Sequence, residues 1–470
     1  LYFVMMGTPG RNSLCERRFR LYSPMADTSP GEAHRRHIVY DAAHKYVFIA
    51  NAAMNRLEVI SAVDQSRVAR ISVSGATSAD ISADGTTLWA GSALNEIVAV
   101  DTSTLQIKTR YEQAGISPFP AAVFDRPIEV LSLATGQCFV RLRQSRSTEA
   151  PLALWDPVSN AMTDLTPTAG ALFQNGLGPM ARTGDHSAVI VAANDSSGNA
   201  AVFALNGVVS TGPRSLGSGD NASCKLAVWD ASSPGQFKIS PAKVAVQDIA
   251  STAGGRAFAL QTAASIEIRD SGMYVTAVPT AAELNQIPGR VAVPGLAMHP
   301  TGALLYQPFL TGAAGGPNAR GGVDISDACS GQLHMRIFLP QQLMTDVDAL
   351  HGDFLAIDEN GQRLFAITSL DGSPQNAALT VVQLASVPLA LGSVSSPTIS
   401  AAGGTTFTIR GSGFQAGIKV AIGGKPTMPT LVDMNTLTVV SPPVLTGPQQ
   451  LTLTNVNGET VTVDAAVIAN

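Results

Sequence analysis

The chain has 470 residues, 45% apolar and 14% charged, with 43 glycines and 28 prolines. One core of that size would be unusually large, so the chain divides into domains or runs as a repeat array, and its Gly and Pro content predicts short strands and tight turns rather than long helices. The formal net charge is −5 and the basic residues, such as Arg35-Arg36 or Arg141-Leu142-Arg143, are scattered; without a basic stripe, nucleic acid is not an expected partner.

In chain order, LYFVMM starts at Leu1 and is too short for a signal core or a membrane span. We read the chain as starting downstream of a lost signal, with residues 1–30 an N-terminal extension and no transmembrane segment expected. Within it, RFRLYS (18–23) is a candidate strand for completing the last unit of the array that follows, which begins near Asp348.

From residue 31 the order turn, apolar strand, short loop, second apolar strand recurs. Asp41 precedes KYVFIAN and RLEVISA; Asp84-Gly85 precedes TLWAG and EIVAVD; Gly136 precedes QCFVRL and LALWD; Gly184-Asp185 precedes SAVIVAAN and AAVFAL. Gly254-Gly255 precedes RAFAL and SIEIRD, Gly302 precedes ALLYQPF and GGVDISD, and Asn360-Gly361 precedes QRLFAIT and ALTVVQL, which makes seven units. A spacing of about 40 to 70 residues fits four-stranded blades. KLAVWDASSPGQFKI (225–239) is either an irregular insertion or a degenerate blade, with seven blades favoured over eight. Strands such as YVFIAN and EIVAVD are apolar on both faces, so each small sheet needs a neighbour on each side until the ring closes.

HIVYDAAHKYVFIAN, RLEVISAVDQSRVARISV and SADISADGTTLWAG resemble the YVTN-type β-propeller repeats of bacterial surface and secreted proteins, over residues 34–386. Units three and five depart from that pattern. Trp155-Asp156 and Trp229-Asp230 share the dipeptide of WD-repeat blades, but the Gly-His partner of that family is missing. The propeller is assigned to residues 31–386.

Residues 393–470 contain no aromatic except Phe407 and Phe414 and no His or Cys. Strands alternate there with Gly, Pro and Asn turns, as in a small antiparallel sandwich. GGTTFTIRGSGF, VAIGG and TLTNVNGE resemble an IPT/TIG domain, which implies an immunoglobulin-like fold. Phe407, Ile409 and Phe414 fall at inward positions, Gly411 and Gly413 let the backbone bend, and Asn457-Gly458 marks a hairpin. The expected fold is therefore all-β, a seven-bladed β-propeller followed by a small immunoglobulin-like β-sandwich.

Chemistry is sparse. Cys15, Cys138, Cys224 and Cys329 form no CxxC pair and read as unpaired packing residues. His34 and His37, beside Glu32 and Asp41, suggest a metal, but a strand sends residues three apart to opposite faces, which leaves loop residues and one packing histidine. Asp346, Asp348, Asp353 and Asp358 lack the carboxylate spacing of a calcium loop and read as turn residues. His299 occupies a turn position equivalent to Ser82 or Ile357, and His186 and His351 make no stronger case. There is no G-x-S-x-G, H-E-x-x-H or P-loop, so no catalytic residue, metal or cofactor is nominated.

The expected function is non-catalytic binding or scaffolding outside the cell or in its envelope, with propeller loops recognising a protein; the resemblance implies the same setting. Aromatics at 6% and three Trp make polysaccharide the weaker ligand. LTGAAGGPNARGG (310–322) is the first candidate for a partner-facing loop. One alternative is a lactonase-type propeller hydrolase, although SADIS, AAVF and GLAMH show no recurring ring of carboxylates, His or Arg. Another is a structural spacer of the cell surface.

Overall fold

The computed structural model describes residues 6–8, 11–14, 16–20, 36–112, 124–144, 152–165, 177–187, 189–194, 200–204, 238–242, 246–251, 257–262, 266–270, 275–277, 290–293, 295–312, 319–343, 354–369 and 377–470. Among them there is no α-helix, and seven antiparallel sheets of four or five strands succeed one another before the C-terminal sandwich. Blade 1 consists of Arg36–Asp41, Tyr46–Asn51, Arg56–Ser61 and Arg67–Ser72, and blade 2 of Ala76–Ile81, Thr87–Ser92, Glu96–Asp101 and Ile107–Glu112. Blade 3 runs from Phe124–Ser132 to Ala161–Asp164, blade 4 from Leu177–Arg182 to Lys238–Ala242, blade 5 from Val246–Ser251 to Val275–Ala277, and blade 6 from Arg290–Ala292 to Leu333–Phe338.

Blade 7 starts at Gln342–Leu343 and Leu355–Ile357, continues through Arg363–Ser369 and Ala377–Gln383, and takes its outer strand, Glu16–Arg20, from the other end of the chain. Phe19 lies opposite Leu379 in that antiparallel pairing. The innermost strands neighbour one another around the full circle, blade 7 against blade 1 included.

The strand period of two explains the closure. Phe48 and Ala50 of blade 1 meet Ala79, Leu88 and Val98 of blade 2, whereas the alternate residues Val47 and Ile49 meet Phe365, Ile367 and Leu379 of blade 7. Each such fully buried Val, Ile, Leu or Phe contributes roughly 1.5–3 kcal/mol, and none could do so in an isolated sheet.

The turns repeat as well. Between first and second strands, Gly85 donates its N–H to Ser82, Gly136 to Leu133, His186 to Thr183, Gly302 to His299 and Gly361 to Asp358. All five donors have positive φ, His186 included at 60°. In blade 4 the left-handed position is therefore His186 rather than the Gly184 singled out from sequence. His299 aligns with Ser82 and with Asp358, one residue beyond Ile357. Between third and fourth strands, the Asp101 and Asp327 carboxylates each accept the backbone N–H groups two and three residues further on, as turn aspartates do.

Lys238–Ala242 pairs with Ala200–Ala204 as the outer strand of blade 4, so 205–237 joins two strands of one blade. Of the 225–239 segment, residues 225–237, Trp229-Asp230 with them, lie outside the described residues.

The C-terminal sandwich packs one sheet, Ala390–Val394, Thr406–Ser412, Thr436–Val440 and Thr430–Asp433, on another containing Lys419–Ile422, Gly447–Thr454 and Thr460–Ala469. Phe407, Ile409 and Phe414 are buried in its core together with Leu389 and Leu391, so the sandwich begins ahead of residue 393. A Cβ on Gly411 would lie 2.3 Å from the Ala390 carbonyl, which keeps that position bare.

Candidate functional site

Antiparallel order puts the first-to-second and third-to-fourth turns of every blade on one face, the turn face, and the remaining connections on the opposite, loop face. The sandwich sits on the turn face. Asn435 Nδ2 donates to the Glu359 carbonyl at 2.8 Å, Gly392 packs on the Thr301 carbonyl, and Cys329 packs against the sandwich core. Glu359 also ties the ring shut, since its carboxylate accepts hydrogen bonds from Lys45 Nζ at 2.7 Å and from the Tyr40 hydroxyl, both in blade 1. Burial pushes this carboxyl up, but the Lys45 and Tyr40 hydrogen bonds outweigh it and hold it below its ordinary range. The Tyr40 ring stacks on Phe365 at 5.7 Å, and burial together with Glu359 pushes its phenol well up.

A second polar junction links blades 2, 3 and 4. Ala76–Ile81 and Phe124–Ser132 are edge strands of their sheets, with backbone groups that need partners. Ser78 and Asp80, two apart and so on one face, supply them: Val130 N donates to Ser78 Oγ at 3.1 Å and Ser132 N to Asp80 Oδ2 at 2.7 Å. From blade 4, Arg182 closes a fork on Asp80, Nε to Oδ2 at 2.8 Å and Nη2 to Oδ1 at 2.7 Å. Burial alone would raise the Asp80 carboxyl, but the Arg182 charge and these hydrogen bonds outweigh it and hold it down. His186 Nδ1 lies 2.9 Å from Ser132 Oγ and 3.1 Å from the Ser132 carbonyl. Burial, then Arg182, lowers its basicity.

Ser, His and Asp thus converge, but not as a nucleophilic relay. In a relay the carboxylate orients the histidine and the histidine faces an accessible hydroxyl. Here Asp80 binds Ser132 and Arg182, and the Ser132 hydroxyl, 2% exposed, is also 2.7 Å from the Ile81 carbonyl. The arrangement latches three blades. Two further buried pairs lie across strands: Glu129 with Arg141 in blade 3, and Asp324 with Arg336 in blade 6.

Among the described residues, those singled out from sequence form no common site. His37 is buried in the first strand of blade 1, and Asp41 turns the chain by accepting Ala43 N at 2.9 Å and His44 Nδ1 at 2.7 Å. Asp358 is buried and accepts Gln362 N at 2.7 Å; burial raises its carboxyl. Glu32, His34, Asp346, Asp348, His351 and Asp353 lie outside the described residues, as do Cys15 and Cys224. No three His, Cys, Asp or Glu side chains among the described residues group as a metal site. Trp155 is buried between blades 2 and 3 against Trp89 and Tyr111, and Asp156 accepts Val158 N.

Two expectations need correction. Cys138 is a free buried thiol, but Cys329 is disulfide-bonded, so the cysteines are not all unpaired; wide separation in sequence hides such a contact. In the 310–322 segment, Leu310–Thr311 and Arg320–Gly322 belong to paired strands. A Cβ on Gly321 would lie 2.5 Å from the Gln341 carbonyl and one on Gly322 2.1 Å from Phe309 Cζ, so these glycines serve close packing.

His299 is fully buried, its Nδ1 2.8 Å from Thr301 Oγ1, and burial lowers its pKa from 6.5 to about 4. Such a histidine is neutral in the fold and protonates first in the unfolded chain, so the unfolded state binds more protons and stability rises with pH across that interval. His299→Gln is expected to remove roughly 3 kcal/mol of the stability lost between pH 7 and pH 4. Urea midpoints at successive pH values measure it; an unchanged slope would contradict the assignment.

Among known structures, the chain is similar to Kuenenia stuttgartiensis hydrazine synthase at 15% identity, with a TM-score of 0.49, covering 77% of this chain and 99% of that one. It is also similar to U3-55K at 12% identity, with a TM-score of 0.46, covering 78% and 98%. No curated protein matches the chain. No described helix is long and apolar enough to cross a membrane. Residues 390–466 match the IPT/TIG domain model, so the sandwich on the turn face is an IPT/TIG domain.

Proposed function

We propose that the chain is a non-catalytic binding or scaffold protein of the cell exterior or envelope, built on YVTN-type repeats, whose loop face recognises a protein partner. One observation carries this reading: the IPT/TIG domain occupies the turn face at blades 6 and 7. The outer strands that lead out of blades 2, 3 and 5, ending at Glu112, Asp164 and Ala277, run to the other face, where binding residues concentrate on a rigid scaffold. The buried Ser78, Asp80, Ser132 and His186 are engaged in contacts between blades 2, 3 and 4, which favours binding over hydrolysis. The Cys329 disulfide supports an oxidising compartment.

Leu94 is exposed on the loop face and Val158 on the turn face. Leu94→Cys and Val158→Cys variants, each carrying a bulky polyethylene glycol, are to be compared in capturing envelope and secreted proteins of the source cell. A partner retained by the Val158 conjugate and lost by the Leu94 conjugate is the expected outcome. Loss on the Val158 conjugate alone, or equal capture by both, would sink the assignment of the loop face.

A further inference from the structure

Blade 1 carries an excess of positive charge around one buried carboxylate. Glu58 is fully buried in the third strand and faces Arg70 of the outer strand across the ladder. Arg56, two residues earlier, shares its face and contacts Glu58 Oε1 at 2.6 Å. Arg67 would point away from Arg70 in a regular strand, but the register shifts between Val59 and Ile60, leaving Val68 as the extra residue, exposed. That bulge turns Arg67 onto the Glu58 face, the kind of re-aiming bulges perform. Arg67 Nε then lies 3.1 Å and Arg70 Nε 3.7 Å from Glu58 Oε2, an oxygen that receives charge contact but no hydrogen bond of good geometry.

Blade 6 carries a buried carboxylate at the same repeat position with fewer arginines among the described residues. Asp324 occupies the same repeat position in blade 6, three residues before the turn that starts at Asp327, and is likewise fully buried. Arg336 pairs with it, through Nε at 2.6 Å and Nη2 at 3.2 Å. Among the described residues one arginine pairs with Asp324, whereas blade 1 places three around Glu58. One carboxylate against three guanidinium groups leaves two positive charges in excess, in a chain whose net charge is −5. Arg70 is 53% exposed and Arg67 29%, so their outer N–H groups reach solvent at the blade rim. Forked, weakly hydrated donors gathered around a buried carboxylate suit a tetrahedral oxyanion.

We propose that Arg56, Arg67 and Arg70 form a binding site for a doubly charged phosphate or sulfate group, free or carried as an ester on a larger molecule. The site lies on the blade 1 rim and does not depend on the loop-face reading. Calorimetric titration of the full chain with inorganic phosphate and inorganic sulfate, at constant ionic strength with chloride as reference, tests it. Arg67→Gln and Arg70→Gln are each expected to weaken binding at least about tenfold, the loss that accompanies a charge-assisted hydrogen bond. Lys425→Gln, an exposed charge on the IPT/TIG domain, leaves it unchanged. Arg70→Gln keeps Glu58 paired with Arg56 and Arg67, so it folds, and circular dichroism confirms this. Dextran sulfate binding more tightly per sulfate group than inorganic sulfate assigns the ester; equal affinity assigns the free ion. Heats no larger than with chloride, or equal affinity in the Arg70→Gln and Lys425→Gln variants, overturn the site.

Discussion

Asp80→Ala is expected to destabilise the propeller by about 3–5 kcal/mol, because removing one partner of a buried ion pair strands the other. Its carboxylate accepts Ser132 N, Ser132 Oγ and two Arg182 nitrogens, all within 3.0 Å. The alanine variant leaves a backbone N–H on the inner edge of blade 3 and a guanidinium from blade 4 without that acceptor. Trp89 and Trp155 lie between blades 2 and 3, so tryptophan fluorescence during urea unfolding reads the transition. Asp84→Ala, at an exposed turn two residues past Ser82, is the control and should cost no more than about 1 kcal/mol. The pH dependence carries a second signature. Arg182 and the hydrogen bonds hold the Asp80 pKa below its ordinary value despite burial. Its stabilisation is therefore present above the unfolded carboxylate pKa and is lost as pH falls through the folded one. Asp80→Asn should lose stability at neutral pH and show a shallower acid decline. A cost near that of Asp84→Ala would mean that the three blades are not latched through this side chain.

The ring was legible in the sequence for the same reason that the latch was not. Apolar residues on both faces of YVFIAN and EIVAVD announce sheets that need two neighbours, and a strand's period is local. Asp80 and Arg182 are 102 residues apart, and nothing in SADIS or in MAR says which polar groups converge. One local cue existed: Ser78 and Asp80 place two polar side chains on one face of a strand that is buried throughout. The Glu58 cluster was masked by a bulge, since Arg67 and Arg70 read as opposite-facing at ideal strand spacing. His186 was hidden by Gly184, because the glycine draws the turn assignment although the histidine takes the left-handed backbone. Gly321 and Gly322 read as a flexible loop because glycine near a carbonyl or a ring looks, in sequence, like glycine in a turn. The IPT/TIG domain was the most legible part, since its spacing of Phe407, Ile409, Gly411, Gly413 and Phe414 encodes both core and close approach.

Phe414→Ala is expected to cost the IPT/TIG domain about 3–5 kcal/mol, the range for truncating a buried phenylalanine. The ring is 3% exposed in a core one layer thick, shared with Phe407, Ile409, Leu437 and Leu453. It also lies over bare Gly411, where a Cβ would come within 2.6 Å of its Cζ, so no neighbour is placed to fill the space left behind. A domain of this length has roughly 5–10 kcal/mol in total, so the variant should unfold more than about 15 °C lower. Scanning calorimetry separates two cases. Asn435, Gly392, Ala390 and the Cys329 contact tie the domain to the turn face among the described residues, besides the covalent linker. Such a junction is small beside either core, so the domain's transition should move while the propeller's stays within a few degrees. Equal displacement of both would show that the sandwich and the ring unfold as one body. The Glu359 junction, which joins Asn435 to Tyr40 and Lys45, would then be the element that couples them.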